Sequence, residues 1–146
     1  MASLNLNEDE LSYAGVAIKN IVAKLDLDEE FDLSYLSSKI PNSSYEPEQY
    51  PSLVFRPSGL STVLVTRTGK LLFTGGDSIE NLRDTYQRIS NELENIGVDD
   101  VGRVEEIEIV NIVSTFELAY TADLNYLSIT LVLENIEYEP EQFPGL

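Results

Sequence analysis

Apolar and polar side chains alternate near the start of the chain, and this alternation predicts a strand over residues 17–27. Successive side chains of a strand point to opposite faces of its sheet. One face of this strand therefore receives Ile21, Ala23 and Leu25. The other face receives Ile18, Asn20, Val22 and Lys24. The first face is suited to a core, and the second combines apolar side chains with an amide and an amine.

A helical pattern covers residues 78–96. Asp77 is the expected N-cap, with Glu80 completing a capping box, and Gly97 is expected to end the helix in the left-handed conformation. A single apolar stripe along this helix is suited to cover one face of a sheet. The stripe consists of Ile79, Leu82, Tyr86, Ile89, Leu93 and Ile96.

The rest of the chain predicts shorter elements. The expected strands cover residues 45–56, 61–68, 70–75, 106–117 and 130–138. Short helices are expected over residues 28–39 and near 122–129. Residues 1–16 show little periodicity and predict a loosely ordered acidic arm, residues 41–44 a loop, and residues 98–105 a link.

One set of sequence motifs occurs twice in the chain. Asn20-Ile21-Val22 returns 91 positions later as Asn111-Ile112-Val113, and FDLSYL at 31–36 returns at the same spacing as ADLNYL at 122–127. YEPEQYPSL at 45–53 returns as YEPEQFPGL at 138–146, after a two-residue insertion. Such a long spacing indicates a duplicated half-domain and not a short-period solenoid. We therefore assign residues 17–105 to a first repeat and residues 106–146 to an incomplete second repeat.

The order of these motifs resembles the TATA-binding protein family, and the acidic composition, not any motif, suggests an archaeal, halophilic form. NIV, DL…YL and YEPEQ[YF]P[SG]L are followed by Thr68-Gly69-Lys70 and by Thr74-Gly75-Gly76 before the long helix. The resemblance covers about residues 17–146. It implies an α+β fold, in which a curved antiparallel sheet carries helices on its convex face and the second repeat is truncated. It also implies a general transcription initiation factor that binds and bends A·T-rich promoter DNA and recruits transcription factor B.

The sheet face opposite the helices is the expected DNA-binding face. In the minor groove A·T pairs offer only acceptors, whereas G·C pairs add the guanine amine as a donor. Asn side chains satisfy the acceptors, and short apolar side chains leave no room or acceptor for the amine. The expected face carries Asn20, Val22, Val54, Arg56, Leu64, Thr66, Leu72, Thr74, Asn111 and Val113. The resemblance assigns groove contacts to both asparagines and both valines, with Leu72 and Thr74 matching in the first repeat.

Wedge and phosphate positions also come from the resemblance. Apolar side chains that enter base steps kink DNA, a mechanism for which the TATA-binding proteins are themselves the standard example. Phe143 matches one wedge position and Tyr50 replaces its first-repeat partner, whereas Thr66 stands where a further Phe is expected. We therefore expect weaker bending than in the family. Arg56 and Lys70 match phosphate-contacting positions.

Partner contacts are expected at the repeated acidic motif. Glu139 and Glu141 match the family's contacts to transcription factor B. A sheet edge left unpaired in the second repeat would favour pairing with the chain itself or with another chain. The alternative is that these residues have only structural roles. The apolar core covered by another layer would then include Val22, Val113, Leu64 and Leu72, and the two glutamates would be ordinary surface charges.

The charge of the chain contradicts DNA binding at first sight. Its 146 residues include 26 acidic and 9 basic side chains, for a net charge of −17, whereas nucleic-acid affinity depends on Lys and Arg that displace counterions. Either the surface is adapted to high salt, where screening acts within about 3 Å at 1 M, or the chain is a DNA-incompetent module that acts through protein–protein interaction. We favour the first interpretation because the acidic segments 1–10, 26–32 and 92–106 lie mostly outside the strands of the expected face.

Composition argues against catalysis. The chain has no His, Cys or Trp, so the usual acid–base catalyst at neutral pH and thiolate ligands are missing. Its acidic runs lack the spacing of a calcium-binding loop. We therefore expect no enzyme, no cofactor and no metal site. No apolar run is long enough to span a membrane, and a cytoplasmic, nucleoid-associated protein is expected.

Overall fold

The computed structural model describes residues 15–119 and 121–130. The strands are β1 Val16–Asp26, β2 Ser43–Ser44, β3 Leu53–Phe55, β4 Thr62–Val65, β5 Lys70–Gly76 and β6 Glu108–Phe116. The helices are α1 Leu33–Lys39, α2 Ile79–Asn95 and α3 Leu124–Thr130, and a 3-10 turn covers Val104–Glu106. Most of the predicted acidic arm and of the strand predicted at 130–138 lies outside the described residues.

The strands form one sheet in the order β2-β3-β4-β5-β1-β6. The pairs β2/β3, β3/β4, β4/β5 and β5/β1 are antiparallel. In this register Val54 lies opposite Leu64, Leu64 opposite Leu72, and Leu72 opposite Lys24. The first repeat thus builds a continuous sheet, and the predicted α+β arrangement is confirmed.

The core lies between one face of this sheet and α2, which packs against β4 and β5. The predicted inner face of β1 is confirmed, because Ile21, Ala23 and Leu25 are all buried. Burying one such large side chain stabilises the fold by roughly 1.5–3 kcal/mol. The other strands and the helix add Leu53, Phe55, Val63, Val65, Leu71, Phe73, Ile79, Leu82, Ile89 and Leu93.

The N-cap of α2 differs from the prediction by one residue. Ser78, not Asp77, adopts the extended cap conformation, and its hydroxyl accepts a hydrogen bond from Asn81 N at 3.0 Å. Contacts between distant parts of the chain explain the difference. The side-chain amide of Asn81 accepts a hydrogen bond from the Ser61 hydroxyl at 2.7 Å and donates one to the carbonyl oxygen of Gly59 at 3.2 Å. These bonds fix Asn81 as the third helical residue, so the cap lies three residues before it. Gly97 follows the helix with φ +96°, as predicted.

Several predicted boundaries were too wide. Over residues 45–56 only β3 is a strand, because Pro47 and Pro51 cannot donate to a ladder and Gln49 and Tyr50 close a turn onto Glu46 O at 2.9 Å. The predicted loop at 41–44 contains the short strand β2. The strand predicted at 61–68 ends at Val65, and Thr130 belongs to α3 and not to a strand.

The two short helices begin in the same way. Asp32 caps α1, with its carboxylate accepting from Tyr35 N at 3.1 Å. Asp123 accepts from Tyr126 N at 3.1 Å at the start of α3. These residues are equivalent in the duplicated sequence, so the local structure repeats with the motif. The first helix begins five residues later than predicted, at Leu33, and the second begins two residues later, at Leu124.

Candidate nucleic-acid interface

The sheet face opposite α2 is only partly covered by the described residues. Val54, Leu64 and Leu72 form one row across β3, β4 and β5, and Thr62 and Thr74 lie opposite each other in the next row. All five side chains are half-buried, whereas their neighbours along each strand belong to the core. Leu64 and Leu72 are therefore not fully buried by the described part of the chain. These five side chains are uncharged, and the face that they form is open.

Asn20 and Val22 continue this face onto β1, where both are half-buried. The Asn20 carboxamide is held in place, because its Oδ1 accepts a hydrogen bond from Gly75 N at 2.8 Å. Sheet order places β6, which carries Asn111 and Val113, next to β1. Both of these side chains are exposed. The structure thus brings the two duplicated Asn–Val strands side by side.

Tyr50 and Arg56 lie at one end of the face. A groove of about 490 Å³ there is lined by both side chains together with Leu64 and Thr74. The backbone turn at Glu46 presents Tyr50 with 46% of its surface exposed. An exposed aromatic ring beside a cation is suited to stack on a base and to approach a phosphate.

Thr66 lies in the turn between β4 and β5, and Lys70 is the first residue of β5. The Thr66 hydroxyl accepts from Lys70 N at 3.0 Å and bonds Thr68 Oγ1 at 3.2 Å. Thr66 is thus tied to its own turn, which suits a structural residue better than a wedge. Lys70 pairs in register with Asp26 and has an exposed side chain.

An ion pair on this face had not been predicted. Lys24 continues the row of Leu72 and lies 3.3 Å from Glu108 on β6, measured from Nζ to Oε2. Alternation along β1 had placed Lys24 on the correct face, but no local pattern indicates Glu108, because the pairing joins distant segments. Both side chains are substantially exposed, so such a pair contributes only about 0–1 kcal/mol.

Away from the face, Tyr86 of α2 holds the link between the repeats. Its hydroxyl donates to Gly102 O at 2.8 Å. Burial, and then the nearby carboxylates of Glu94, Glu105, Glu106 and Asp100, raise the pKa of the Tyr86 phenol above its ordinary value of 10.0.

Among residues 15–119 and 121–130, no acidic cluster has the arrangement of a metal site. In the same part of the chain no helix combines the length and apolar character needed to cross a bilayer. Phe143, Glu139 and Glu141 lie outside the described residues, so their roles stay predictions.

These observations define a class of α+β protein in which a long helix covers one face of an antiparallel sheet, the other face is open, and a strand motif occurs twice in the sequence. The family model for "Transcription factor TFIID (or TATA-binding protein, TBP)" matches residues 15–96 and 106–146. The chain belongs to the TATA-binding protein family, and the predicted family and fold are confirmed.

Similar proteins come from archaea. The TATA-box-binding protein of Archaeoglobus fulgidus is 41% identical over 132 residues, which span 90% of this chain and 72% of that protein. TATA-box-binding protein B of Halobacterium salinarum is 39% identical over 132 residues, spanning 90% and 70% of the two chains. The solved structure of Methanococcus jannaschii TBP matches with a TM-score of 0.72 at 36% identity, covering 88% of this chain and 72% of that one.

Proposed function

We propose that this protein is a general transcription initiation factor that binds A·T-rich promoter DNA through the minor groove, bends it and recruits transcription factor B. The observation that carries the proposal is the open face: a half-buried row of Val54, Leu64 and Leu72, with Asn20 and Thr74 beside it. Short apolar side chains fit the floor of an A·T groove, where a guanine amine would lack both space and an acceptor.

Charge distribution supports the same face. Arg56 lies at one end of it, and Lys70 and Lys24 lie towards the other. These positions suit the two phosphate strands that border a groove. Glu108 is an acid on this face and pairs with Lys24. Most of the acidic surplus then belongs to the remaining surface, as an adaptation to high salt in which screening acts within about 3 Å at 1 M. Relatives from Halobacterium salinarum fit this halophilic interpretation.

Bending is proposed to depend on Tyr50 in the first repeat and Phe143 in the second. The exposed Tyr50 ring is the one wedge candidate that lies among the described residues. A Tyr50→Ala variant should bind a TATA duplex with a smaller bend, measured by energy transfer between dyes at the duplex ends. Tyr50→Phe is the matched control and should keep the wild-type bend; equal bends in all three proteins would contradict this role.

The DNA-binding proposal is tested with a fluorescent TATA duplex and a G·C-rich control in about 1–2 M KCl, where counterion release suppresses nonspecific binding. Asn20→Ala and Asn111→Ala should each reduce the preference for TATA, since each removes donors that pair with buried acceptors. Asn91→Ala, on the outer surface of α2, is the control. An unchanged preference in both test variants would refute the assigned recognition.

The second candidate is a DNA-incompetent module that acts only through protein contacts. It is favoured by the net charge of −17 and by the ion pair that occupies Lys24. Glu139→Gln with Glu141→Gln separates the two functions. A DNA-binding factor should keep its binary DNA complex and lose only transcription factor B, whereas a protein-binding module would lose its single activity.

We also infer that β6 pairs with a strand of a second copy or of another chain. It is the terminal strand of the described sheet and exposes Val110, Ile112 and Phe116. An exposed apolar edge strand favours pairing with a further strand. Sedimentation of the wild type against Val110→Lys tests this. A concentration-dependent increase in mass that the lysine abolishes supports the inference, and a strictly monomeric wild type contradicts it.

A further inference from the structure

Asn20 carries the further inference, because one end of its carboxamide is already occupied. Its Oδ1 lies 2.8 Å from Gly75 N. A backbone N–H only donates, so the atom that faces it must be the carbonyl oxygen and not the amide nitrogen. The two Nδ2 hydrogens therefore point elsewhere, and no described residue accepts a hydrogen bond from them.

A bulge in β5 makes the Gly75 N–H available. The register of β1 and β5 shifts between Ile21 and Ala23. Across this shift β1 contributes one residue and β5 contributes two, Thr74 and Gly75. Gly75 has φ +85°, a left-handed backbone conformation that glycine adopts without steric cost and that is common for glycine in bulges. A bulge residue leaves the ladder, so its N–H is free to bind a side chain.

We propose that Gly75 is a positioning residue for base recognition, whose N–H locks the Asn20 carboxamide with only its donors towards the groove. The inference rests on the proposed function and states how its selectivity arises. A freely rotating amide would present Nδ2 to the acceptors of an A·T pair or Oδ1 to the amine of a G·C pair. The locked amide cannot turn Oδ1 towards the guanine amine. Asn20 therefore favours A·T pairs over G·C pairs, whereas a freely rotating amide would accept either pair.

Asn111 provides an internal contrast. It occupies the position equivalent to Asn20 in the second copy of the motif, yet it accepts no hydrogen bond from any described residue. Among the described residues, a hydrogen bond thus holds the carboxamide of the first-repeat asparagine but not that of the second. The two should therefore contribute unequally to discrimination between A·T and G·C pairs.

The first measurement needs no DNA. Hydrogen exchange of the Gly75 amide is followed by NMR in the wild type, Asn20→Ala, Asn20→Asp and Asn111→Ala. Loss of the Oδ1 acceptor should speed exchange by about tenfold in Asn20→Ala, whereas Asn20→Asp keeps an acceptor and should stay protected. Asn111→Ala should match the wild type. An unprotected Gly75 amide in the wild type, or equal protection in Asn20→Ala, would overturn the lock.

The second measurement compares affinities for a TATA duplex and for the same duplex with G·C pairs at its centre. Asn20→Asp should lower the affinity ratio by about tenfold, because its outward atom becomes an acceptor. Gly75→Ala should also lower the ratio, since Ala disfavours the left-handed conformation, whereas Gly75→Asn tolerates it and should keep the ratio.

If a side chain at position 75 merely obstructed the DNA, Gly75→Asn would lower the affinity ratio more than Gly75→Ala, because Asn is the larger side chain. That result would overturn the proposed role. Wild-type discrimination in Asn20→Asp would do the same, and it does not depend on how Gly75 variants fold. A wild type without TATA preference would refute the proposed function, while the exchange measurement would still decide the orientation of Asn20.

Discussion

The two copies of the repeat place similar strands in different surroundings. Ile21 and Leu25 of β1 are 2% and 3% exposed, whereas their equivalents on β6, Ile112 and Phe116, are 36% and 57% exposed. In the first copy β5 pairs with β1 and α2 covers the sheet face. The described residues that follow β6 supply one short helix, α3. A strand motif thus specifies which face is apolar, but burial depends on the elements that return to cover it.

The largest expected effect tests that difference directly. Ile21→Ala should lower the free energy of unfolding by about 2–5 kcal/mol, since it leaves a cavity beneath α2. Ile112→Ala should lower it by less than about 1 kcal/mol, because the side chain already meets solvent. Urea unfolding of both variants makes the comparison. Equal losses would mean that β6 is buried in solution by a further segment or chain.

The next effect concerns the helix that distinguishes the first copy. Ser78→Ala should destabilise the protein by about 1 kcal/mol, because Asn81 N loses its acceptor at the start of α2. Asp77→Ala is the matched control and should change stability by less than about 0.5 kcal/mol. Thermal unfolding decides, and a larger loss in the control would restore Asp77 as the effective cap.

A smaller effect is expected where the two copies meet across β1 and β6. Glu108→Gln frees Lys24 and removes a carboxylate from the open face, so DNA affinity should rise a few-fold at low salt. The slope of log K against log[salt] should steepen by about one unit, because one more cation reaches a phosphate. Glu105→Gln is the control at a residue outside this pair. Fluorescence titrations at several KCl concentrations measure both quantities, and an unchanged slope would show that Lys24 does not reach the DNA.

The smallest effect is a pH dependence at the link between the copies. The folded state holds the Tyr86 proton more tightly than the unfolded state, whose phenol has the ordinary pKa of 10.0. This contribution to stability is therefore fully present below pH 10.0 and is lost as the pH rises through the folded-state pKa. Unfolding of the wild type and Tyr86→Phe between about pH 8 and 11 should show their difference shrinking at the alkaline end. A difference that stays constant would exclude this linkage.

Periodic segments were predictable, and interactions between distant segments were not. The inner face of β1 and the stripe of α2 followed from alternation and helical spacing, because each pattern is repeated several times within one element. The N-cap was misplaced because Asn81 is fixed by Ser61, about twenty residues earlier. The strand at 45–56 was overextended, although its two prolines already indicated a break.

The candidate DNA-binding face likewise has residues that the sequence predicted and features that it did not. Leu64, Leu72 and Asn20 were assigned to it from alternation and from the family motif, and their half-buried positions agree. Glu108 was missed because an ion pair across the sheet leaves no local pattern. The bulge at Gly75 was also missed, because only the register of the paired strands reveals the extra residue.

Gly75 and Gly76 are adjacent, yet they exclude side chains for unrelated reasons. At Gly75 a Cβ would meet nothing within 4 Å, but the backbone has the handedness that L-residues avoid. At Gly76 the backbone lies outside that region, but a Cβ would lie 2.3 Å from Ser61 Oγ. Gly75 is required by its backbone conformation, and Gly76 is required by the lack of space for a side chain. A mutation that enlarges the space near Gly76 would therefore not make a larger residue acceptable at Gly75. The dipeptide is therefore two independent constraints on how this sequence can diverge.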